Sequence, residues 1–184
     1  MLLRGSRLRM KVAGFSLLEM LIAMTISAVL MVGAGRFMPL LLGENLRLQQ
    51  RVQLQTELQQ MLSTLEKAVR RAGYCQGECG REGLTITGSC LLIRFDENSN
   101  GRWEDISHGE SDYYGYRLRQ KQLEMQRGVD NCNGSGWERL SDPAFLSVEA
   151  FELQREGQRV RIMLQGRTGQ QEETVVRWVE GMNL

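Results

Sequence analysis

The feature that most constrains the fold is an apolar stretch at residues 15–35, in which Glu19 is the only charged residue. A helix rises about 1.5 Å per residue, so about 20 apolar residues are long enough to cross a lipid bilayer. The leader before this stretch contains no acidic side chain and four basic ones: Arg4, Arg7, Arg9 and Lys11. Because basic flanks stay in the cytoplasm, the pattern predicts a single-pass helix with a cytoplasmic N-terminus and an external head.

Two other N-terminal segments share part of this pattern. A cleaved secretory signal also has a basic start and an apolar core. This stretch is longer than a usual signal core, however, and no A-x-A cleavage site closes it; residues 33–35 (Gly-Ala-Gly) are the nearest small-residue run. An uncleaved signal anchor is the better of these two alternatives.

Glu19 needs a partner or a function, because an acidic side chain in a lipid-facing helix costs roughly 2.5–3.5 kcal/mol on insertion scales. Cleavage between Gly14 and Phe15 would place a new α-amino group one helical turn before Glu19. That amine could neutralise the carboxylate of its own chain or that of a neighbouring helix, and the second pairing would fix the register of an assembly. The simpler alternative is a favourable interaction of Glu19 with the helix dipole.

The run Gly14-Phe15-Ser16-Leu17-Leu18-Glu19 follows a basic leader and precedes an apolar helix. It resembles the class III signal of type IV pilins and type II secretion pseudopilins, which a membrane aspartyl peptidase cuts after the Gly before methylating the new N-terminus. The resemblance implies cleavage after Gly14, N-methylation of Phe15 and a register role for Glu19 between subunits. It also implies a location in the inner membrane, with the head in the periplasm.

A second helical pattern follows Pro39, which lacks a backbone donor and predicts a kink or local melting unless it only marks the end of the membrane segment. Residues 44–72 have apolar side chains at three- and four-residue spacing, and Gly73 is a suitable stop. The members of this apolar stripe are Leu54, Leu58, Met61, Leu62, Leu65, Ala68, Val69 and Ala72. The pattern predicts a helix half that packs under a globular head.

From residue 84 the apolar period shifts towards two, which indicates strands. The predicted strands are 90–95, 112–119, 121–127, 146–154, 158–165 and 173–180, with a turn at Glu156-Gly157. We therefore predict an α+β domain in which an antiparallel sheet lies on the C-terminal half of a long helix, and the resemblance to type IV pilins implies the same arrangement, the type IV pilin fold. The predicted segments are a cleaved leader 1–14, a transmembrane and assembly helix 15–42, an amphipathic helix half 43–73 and a periplasmic head 74–184.

The charge distribution argues against nucleic acid as a direct partner. The whole chain carries a formal charge of +1, but the leader holds four positive charges, which leaves −3 on residues 15–184. A protein that neutralises phosphates needs a basic surface. The mature chain lacks that excess of positive charge.

Four cysteines lie in the predicted external head: Cys75, Cys79, Cys90 and Cys132. An even number of cysteines outside the cytoplasm is typical of disulfides. Three connectivities exist, of which we favour Cys75–Cys79 with Cys90–Cys132. Zinc is the alternative, but no CxxC pair is present and the spacing suits four ligands poorly.

The loop at residues 96–105 contains the pattern D-x-N-x-N-G, which is the first half of an EF-hand calcium loop. The residues that would bind Ca²⁺ are Asp96, Asn98, Asn100, Glu104 and Asp105, with Glu110 as a further candidate. The twelfth position is Ser107 rather than Glu, and the flanks are predicted strands rather than helices. The alternative is a polar hairpin loop without a metal ion, and no other cofactor is expected.

No catalytic motif is present in the sequence. His108 is the only histidine, and the chain contains no P-loop, GxGxxG, GxSxG or HExxH pattern. We therefore do not expect an enzyme.

Several stretches beyond the leader are similar to the enterobacterial group of minor pilins called prepilin peptidase-dependent protein B. They are residues 71–75, the Asp96–Gly101 run with Trp103, Ser111-Asp112, and the stretch from Cys132 to Trp137. The resemblance implies a minor pilin that initiates or caps type IV pilus assembly, with other minor pilins, the major pilin, the prepilin peptidase, the inner-membrane assembly platform and the bilayer as partners. Because Glu19 is present, the chain does not resemble the tip-most subunit type. The alternatives are a minor pseudopilin of a type II secretion system and, from another class, a signal-anchored periplasmic binding domain.

Overall fold

A computed structural model describes residues 14–80 and 82–184. It contains one helix, α1 (Leu17–Arg71), and then strands β1 (Leu84–Thr87), β2 (Cys90–Arg94), β3 (Tyr113–Arg119), β4 (Gln122–Arg127), β5 (Glu138–Arg139), β6 (Ser147–Glu156), β7 (Arg159–Thr168) and β8 (Gln171–Glu180). The described chain divides into two compact units, one that ends at Leu46 and one that spans Arg47–Leu184. The second unit holds the last part of α1 and all the strands, so the α+β class is confirmed.

Helix α1 contains Pro39, and the residues on both sides of it are helical. The prediction of local melting at this position is therefore wrong. Proline removes one donor from the helix ladder but leaves the neighbouring bonds able to continue the helix.

The apolar stripe on the second part of α1 lies in the core. Every one of the eight predicted side chains, from Leu54 to Ala72, is buried, and Leu54, Leu58, Leu62 and Leu65 are fully so. A stripe of this kind forms when apolar residues recur every three or four positions. It contacts apolar side chains that the strands contribute to the same core, including Leu91, Ile93, Val148, Ile162 and Leu164.

Gly73 ends the helix, as predicted. Its φ of +81° is in the left-handed region that favours glycine, and its N–H donates to the carbonyl of Arg94 at 2.8 Å. A Cβ at this position would overlap the backbone of Asn183. The turn therefore connects the end of α1 directly to the strands.

The strands form two antiparallel sheets rather than the single sheet predicted. One sheet has the order β1-β2-β3-β4-β5 and the other has the order β6-β7-β8. All six predicted strands exist, with bounds that differ by up to three residues, and the turn at Glu156-Gly157 is confirmed by the pairing of Glu156 with Arg159. Strands β1 and β5 were not predicted, because four and two residues are too short to show a period.

The inner face of β7 illustrates how the sheet meets the core. Val160, Ile162 and Leu164 are buried at alternate positions, as period-two geometry requires. In β6 the register shifts between Val148 and Ala150, and this bulge changes which residues face inward.

Candidate assembly segment and head loop

The predicted cleavage point lies just before the helix. Residues 14–16 are not helical, and α1 begins at Leu17. Phe15 is 84% exposed, and a Cβ built on Gly14 would have no neighbour within 4 Å. A larger residue at position 14 would therefore not strain this chain. The basic residues of the predicted leader, from Arg4 to Lys11, lie outside the described residues.

Glu19 forms a capping interaction at the start of α1. Its Oε2 accepts a hydrogen bond from the N–H of Ser16 at 3.0 Å, while Oγ of Ser16 accepts one from the N–H of Leu18 at 3.4 Å. This reciprocal arrangement of Ser and Glu is a capping box, which satisfies backbone donors that the first helical turn leaves free. The Glu19 carboxylate is thus bonded to Ser16, the residue that follows Phe15. Cleavage after Gly14 would free the α-amino group of Phe15.

The first part of α1 carries its apolar side chains on every face. The large apolar residues between Phe15 and Leu46 are each at least half exposed within the described protein. The helix is long and apolar enough to cross a membrane by length and composition. An apolar surface of this extent needs lipid or other helices around it, which agrees with a membrane-anchored pilin-like protein.

The predicted calcium loop connects β2 to β3 in the head. Asp96 is buried, with 1% exposure, and its carboxylate accepts backbone N–H groups from Gln76 at 3.2 Å, Asn100 at 3.0 Å and Gly101 at 2.8 Å. Burial opposes ionisation of Asp96, but these N–H donors outweigh it and lower the pKa of the carboxyl. The buried Asp96 carboxylate therefore stabilises the conformation of the loop through hydrogen bonds to its backbone.

Two further buried carboxyl groups meet in the same loop. Asp112 accepts N–H bonds from Glu97 at 3.2 Å and Glu104 at 3.0 Å. The carboxyl group of Glu104 lies within hydrogen-bonding range of that of Asp112. Burial and then the Glu104 carboxyl raise the pKa of Asp112, whereas the adjacent Asp112 carboxyl and the hydrogen bond from Asn100 lower the pKa of Glu104.

The remaining predicted ligands are in contact with other groups of the loop or exposed to solvent. Asn100 donates through Nδ2 to Oε1 of Glu104 at 2.6 Å, so these two side chains are in contact. Asn98 and Asp105 are exposed, and their side-chain oxygens accept N–H bonds from Asn100 and Ile106. Glu110 is exposed as well. Asp112 is not among the predicted ligands, because it follows Glu104 by eight residues and no motif connects the two.

The four cysteines form two disulfides, Cys75–Cys79 and Cys90–Cys132, which is the connectivity that the sequence analysis favours. The first closes a short loop after α1. The second connects β2 to the loop before β5. No thiolate remains for zinc, because each of these sulfurs is bonded to another.

Arg117 fastens the loop before β5 to the five-stranded sheet. It is 6% exposed, pairs with Glu124 at 2.8 Å, and donates to the carbonyls of Cys132 at 2.8 Å and Gly134 at 3.2 Å. Its guanidinium also lies 4.1 Å from the ring centre of Trp137. A buried arginine with these partners has a structural role, which no motif in the sequence indicated.

His108 is exposed, and its Nδ1 accepts a hydrogen bond from the N–H of Glu110 at 3.1 Å. Within the described residues, no Ser, Thr or Cys side chain forms a hydrogen bond with this imidazole. His108 thus takes part in a loop turn.

Comparison with known proteins agrees with this arrangement. The family model "Prepilin peptidase-dependent protein B" matches residues 47–181, and the model "Prokaryotic N-terminal methylation motif" matches residues 9–35. The chain is 43% identical over 148 residues to prepilin peptidase-dependent protein B of Escherichia coli (strain K12), which covers 79% of each chain. No solved structure matches it. The methylation motif covers the predicted cleavage point and the start of α1, while the other match covers the second compact unit, and the chain therefore belongs to the family of prepilin peptidase-dependent protein B.

Proposed function

We propose that this protein is a minor pilin that takes part in initiating or capping type IV pilus assembly after processing by prepilin peptidase. The observation that carries the proposal is the arrangement at residues 14–19. A non-helical, exposed Gly14-Phe15 pair precedes an apolar helix whose first turn is capped by Glu19. The methylation-motif match and the name of the Escherichia coli relative support it.

In this mechanism the peptidase removes residues 1–14 and methylates the amine of Phe15. Glu19 then has a cationic group within one turn, from its own chain or from a neighbouring subunit. Pairing with a neighbour would cancel the charge of Glu19 in lipid only at the correct axial register. The apolar surface of the first part of α1 would pack against the bilayer before assembly and against other pilin helices in the filament.

The partners follow from the same mechanism. They are the prepilin peptidase, other minor pilins, the major pilin and the inner-membrane assembly platform. The protein would sit in the inner membrane with its head in the periplasm, where the two disulfides can form. A net charge of −3 on residues 15–184 gives no support to direct binding of nucleic acid.

Intact mass of the membrane-extracted protein tests the first step. With the peptidase present, we expect loss of residues 1–14 and gain of one methyl group; without it, we expect the full precursor. Gly14→Ala should block processing, whereas Gly35→Ala is the matched control, since a Cβ at either position meets no neighbour within 4 Å. An unprocessed mass in both strains would instead favour a signal-anchored periplasmic domain.

Counting surface pili and measuring exoprotein release in a deletion strain separates the remaining alternatives. A minor pilin should be needed for pilus number and not for release of exoproteins. The reverse result would make the chain a minor pseudopilin of a type II secretion system. Restoration by the wild-type gene, but not by the Gly14→Ala variant, would connect the phenotype to processing.

A further inference from the structure

The loop between β2 and β3 buries three carboxyl groups. Asp96, Glu104 and Asp112 are exposed by only 1%, 6% and 1%. Buried carboxylates are costly unless hydrogen bonds or cations compensate them. Residues 96–112 contain six acidic side chains, and two arginines pair with them: Arg102, which is itself largely exposed, with Glu104, and Arg127 with Glu97.

One oxygen in this loop has no partner. Oε1 of Glu104 accepts bonds from Nδ2 of Asn100 at 2.6 Å and from Nε of Arg102 at 3.0 Å, but the buried Oε2 accepts none from the described residues. The same carboxyl group faces that of Asp112. Two bare carboxylates in contact repel, so a shared proton or a bound cation would stabilise the pair.

The carboxylate of Asp96 differs from that of Glu104, because neither of its oxygens is left without a donor. Both of its carboxylate oxygens accept backbone N–H groups, which come from Gln76, Asn100 and Gly101. The residue therefore shapes the loop. Asp112 also accepts a backbone N–H group on each oxygen, so the oxygen without a partner belongs to Glu104, whose carboxyl group lies against that of Asp112. Asp105 is turned away, since it is exposed and bonds to the neighbouring N–H of Ile106.

We propose that Glu104 and Asp112 are the charged ligands of a Ca²⁺ site in the head, with the side chain of Asn100 beside them. The available donors are oxygens, which favour a hard cation, and no His or Cys side chain is among them. No group of three Asp, Glu, His or Cys side chains forms a complete metal site in residues 14–80 and 82–184. Backbone carbonyls and water would therefore complete the coordination, which Ca²⁺ accepts readily.

This proposal changes the ligand set that the D-x-N-x-N-G pattern indicates. Asp112 replaces Asp105, and Asp96 acts as an organiser of the loop rather than as a main ligand. The site would tie the start of β3 to the turn that carries Asn100. It does not depend on the proposed function, because it concerns only the head.

Thermal unfolding of the full-length, detergent-solubilised protein tests the site. Extracellular calcium sites bind with dissociation constants near about 10⁻⁴–10⁻³ M, so about 10 mM CaCl₂ should raise Tm by about 5 °C relative to EDTA. MgCl₂ should raise it much less, because Mg²⁺ needs a stricter octahedral geometry. No shift with CaCl₂ would overturn the proposal and leave a proton shared by Glu104 and Asp112.

Three variants test the ligands. Glu104→Gln and Asp112→Asn should lose the CaCl₂-dependent rise in Tm, while Asp105→Asn, the matched exposed control, should keep it. A full rise in Glu104→Gln would overturn the ligand assignment. Loss in Asp105→Asn alone would overturn it too.

Tb³⁺ luminescence of the wild-type protein tests the site even if a ligand variant does not fold. Trp103 precedes Glu104 and can sensitise bound Tb³⁺, a probe for calcium sites. We expect Tb³⁺ emission on excitation of tryptophan in the wild-type protein, displacement by excess CaCl₂, and a strong reduction in Trp103→Phe. Emission that CaCl₂ does not displace would contradict a calcium site.

Discussion

The guanidinium of Arg117 lies 4.1 Å from the ring centre of Trp137 and, at the same time, 2.8 Å from the carboxylate of Glu124. One buried cation thus connects a strand of the five-stranded sheet, its neighbouring strand and the loop before β5. The disulfide Cys90–Cys132 joins the same loop to β2, which pairs with β3 at Cys90 and Arg117. The disulfide and the contacts of Arg117 therefore attach the loop before β5 to the five-stranded sheet at the same position.

We expect Arg117→Met to destabilise the head by about 3 kcal/mol, because it leaves the half-buried carboxylate of Glu124 and two carbonyls without their donor. Urea unfolding of the solubilised protein measures the change. Arg119→Met is the control. Arg119 is exposed and donates to Gly134 only, so its loss should cost less than about 1 kcal/mol. Equal effects of the two variants would contradict the role assigned to Arg117.

The two disulfides should contribute unequally. Cys90 and Cys132 are separated by 42 positions, and Cys75 and Cys79 by 4. Loop-closure entropy then predicts a loss of about 4 kcal/mol for the Cys90→Ser, Cys132→Ser double variant and about 2 kcal/mol for the Cys75→Ser, Cys79→Ser double variant. Urea midpoints of the two variants compare them directly. If the Cys75→Ser, Cys79→Ser variant lost more stability than the other, the short bridge would act mainly by fixing its loop in the folded state.

Glu66 should make the head sensitive to acid. Hydrogen bonds from Arg177 and Arg70 hold the pKa of this carboxyl below 4.5, so its ionised form is favoured in the folded state. Its contribution is fully present above the unfolded pKa, and it is lost as pH falls through the lowered folded pKa.

The test is the pH dependence of Tm for Glu66→Gln and the wild type. At pH 7 the variant should be less stable by about 0.5–1 kcal/mol, and the difference should shrink as pH falls below about 4.5. Glu57→Gln serves as a control on the same helix and should show a smaller difference at pH 7. A gap that stays constant down to pH 3 would contradict the ion-pair explanation.

Glu19→Gln separates the two roles of the acid at the start of α1. A glutamine can still accept the N–H of Ser16, so the helix cap should survive while the negative charge is lost. If the charge sets the register of assembly, the variant should be processed and methylated normally but should restore few pili. Glu19→Ala should lose both the cap and assembly. Normal piliation by Glu19→Gln would mean that capping alone explains this residue.

The amphipathic half of α1 could be predicted because helical geometry repeats every 3.6 residues, and the stripe from Leu54 to Ala72 follows that period. The separation of the strands into two sheets could not be predicted from the sequence. Alternation within a strand reports which face is buried, but it carries no information about which strand lies beside it.

The head loop shows the same limit at the level of side chains. The pattern from Asp96 to Gly101 marked the loop correctly, since carboxylate and amide side chains near a glycine favour a tight turn. The pairing of Glu104 with Asp112 depends on where β3 begins, which the local sequence does not determine. Spacing alone pointed to Asp105, whose side chain is turned to solvent.

The start of α1 at Leu17 bears on the rate of the proposed cleavage. A peptide bond inside a helix becomes available to a protease only when the helix opens locally, and the free energy of that opening slows cleavage. Here the bond between Gly14 and Phe15 already lies outside the hydrogen-bonded turns, and the cap formed by Ser16 and Glu19 marks where those turns begin. The proposed cleavage would therefore require no unwinding of α1, and its rate should depend on encounter with the peptidase rather than on the stability of α1.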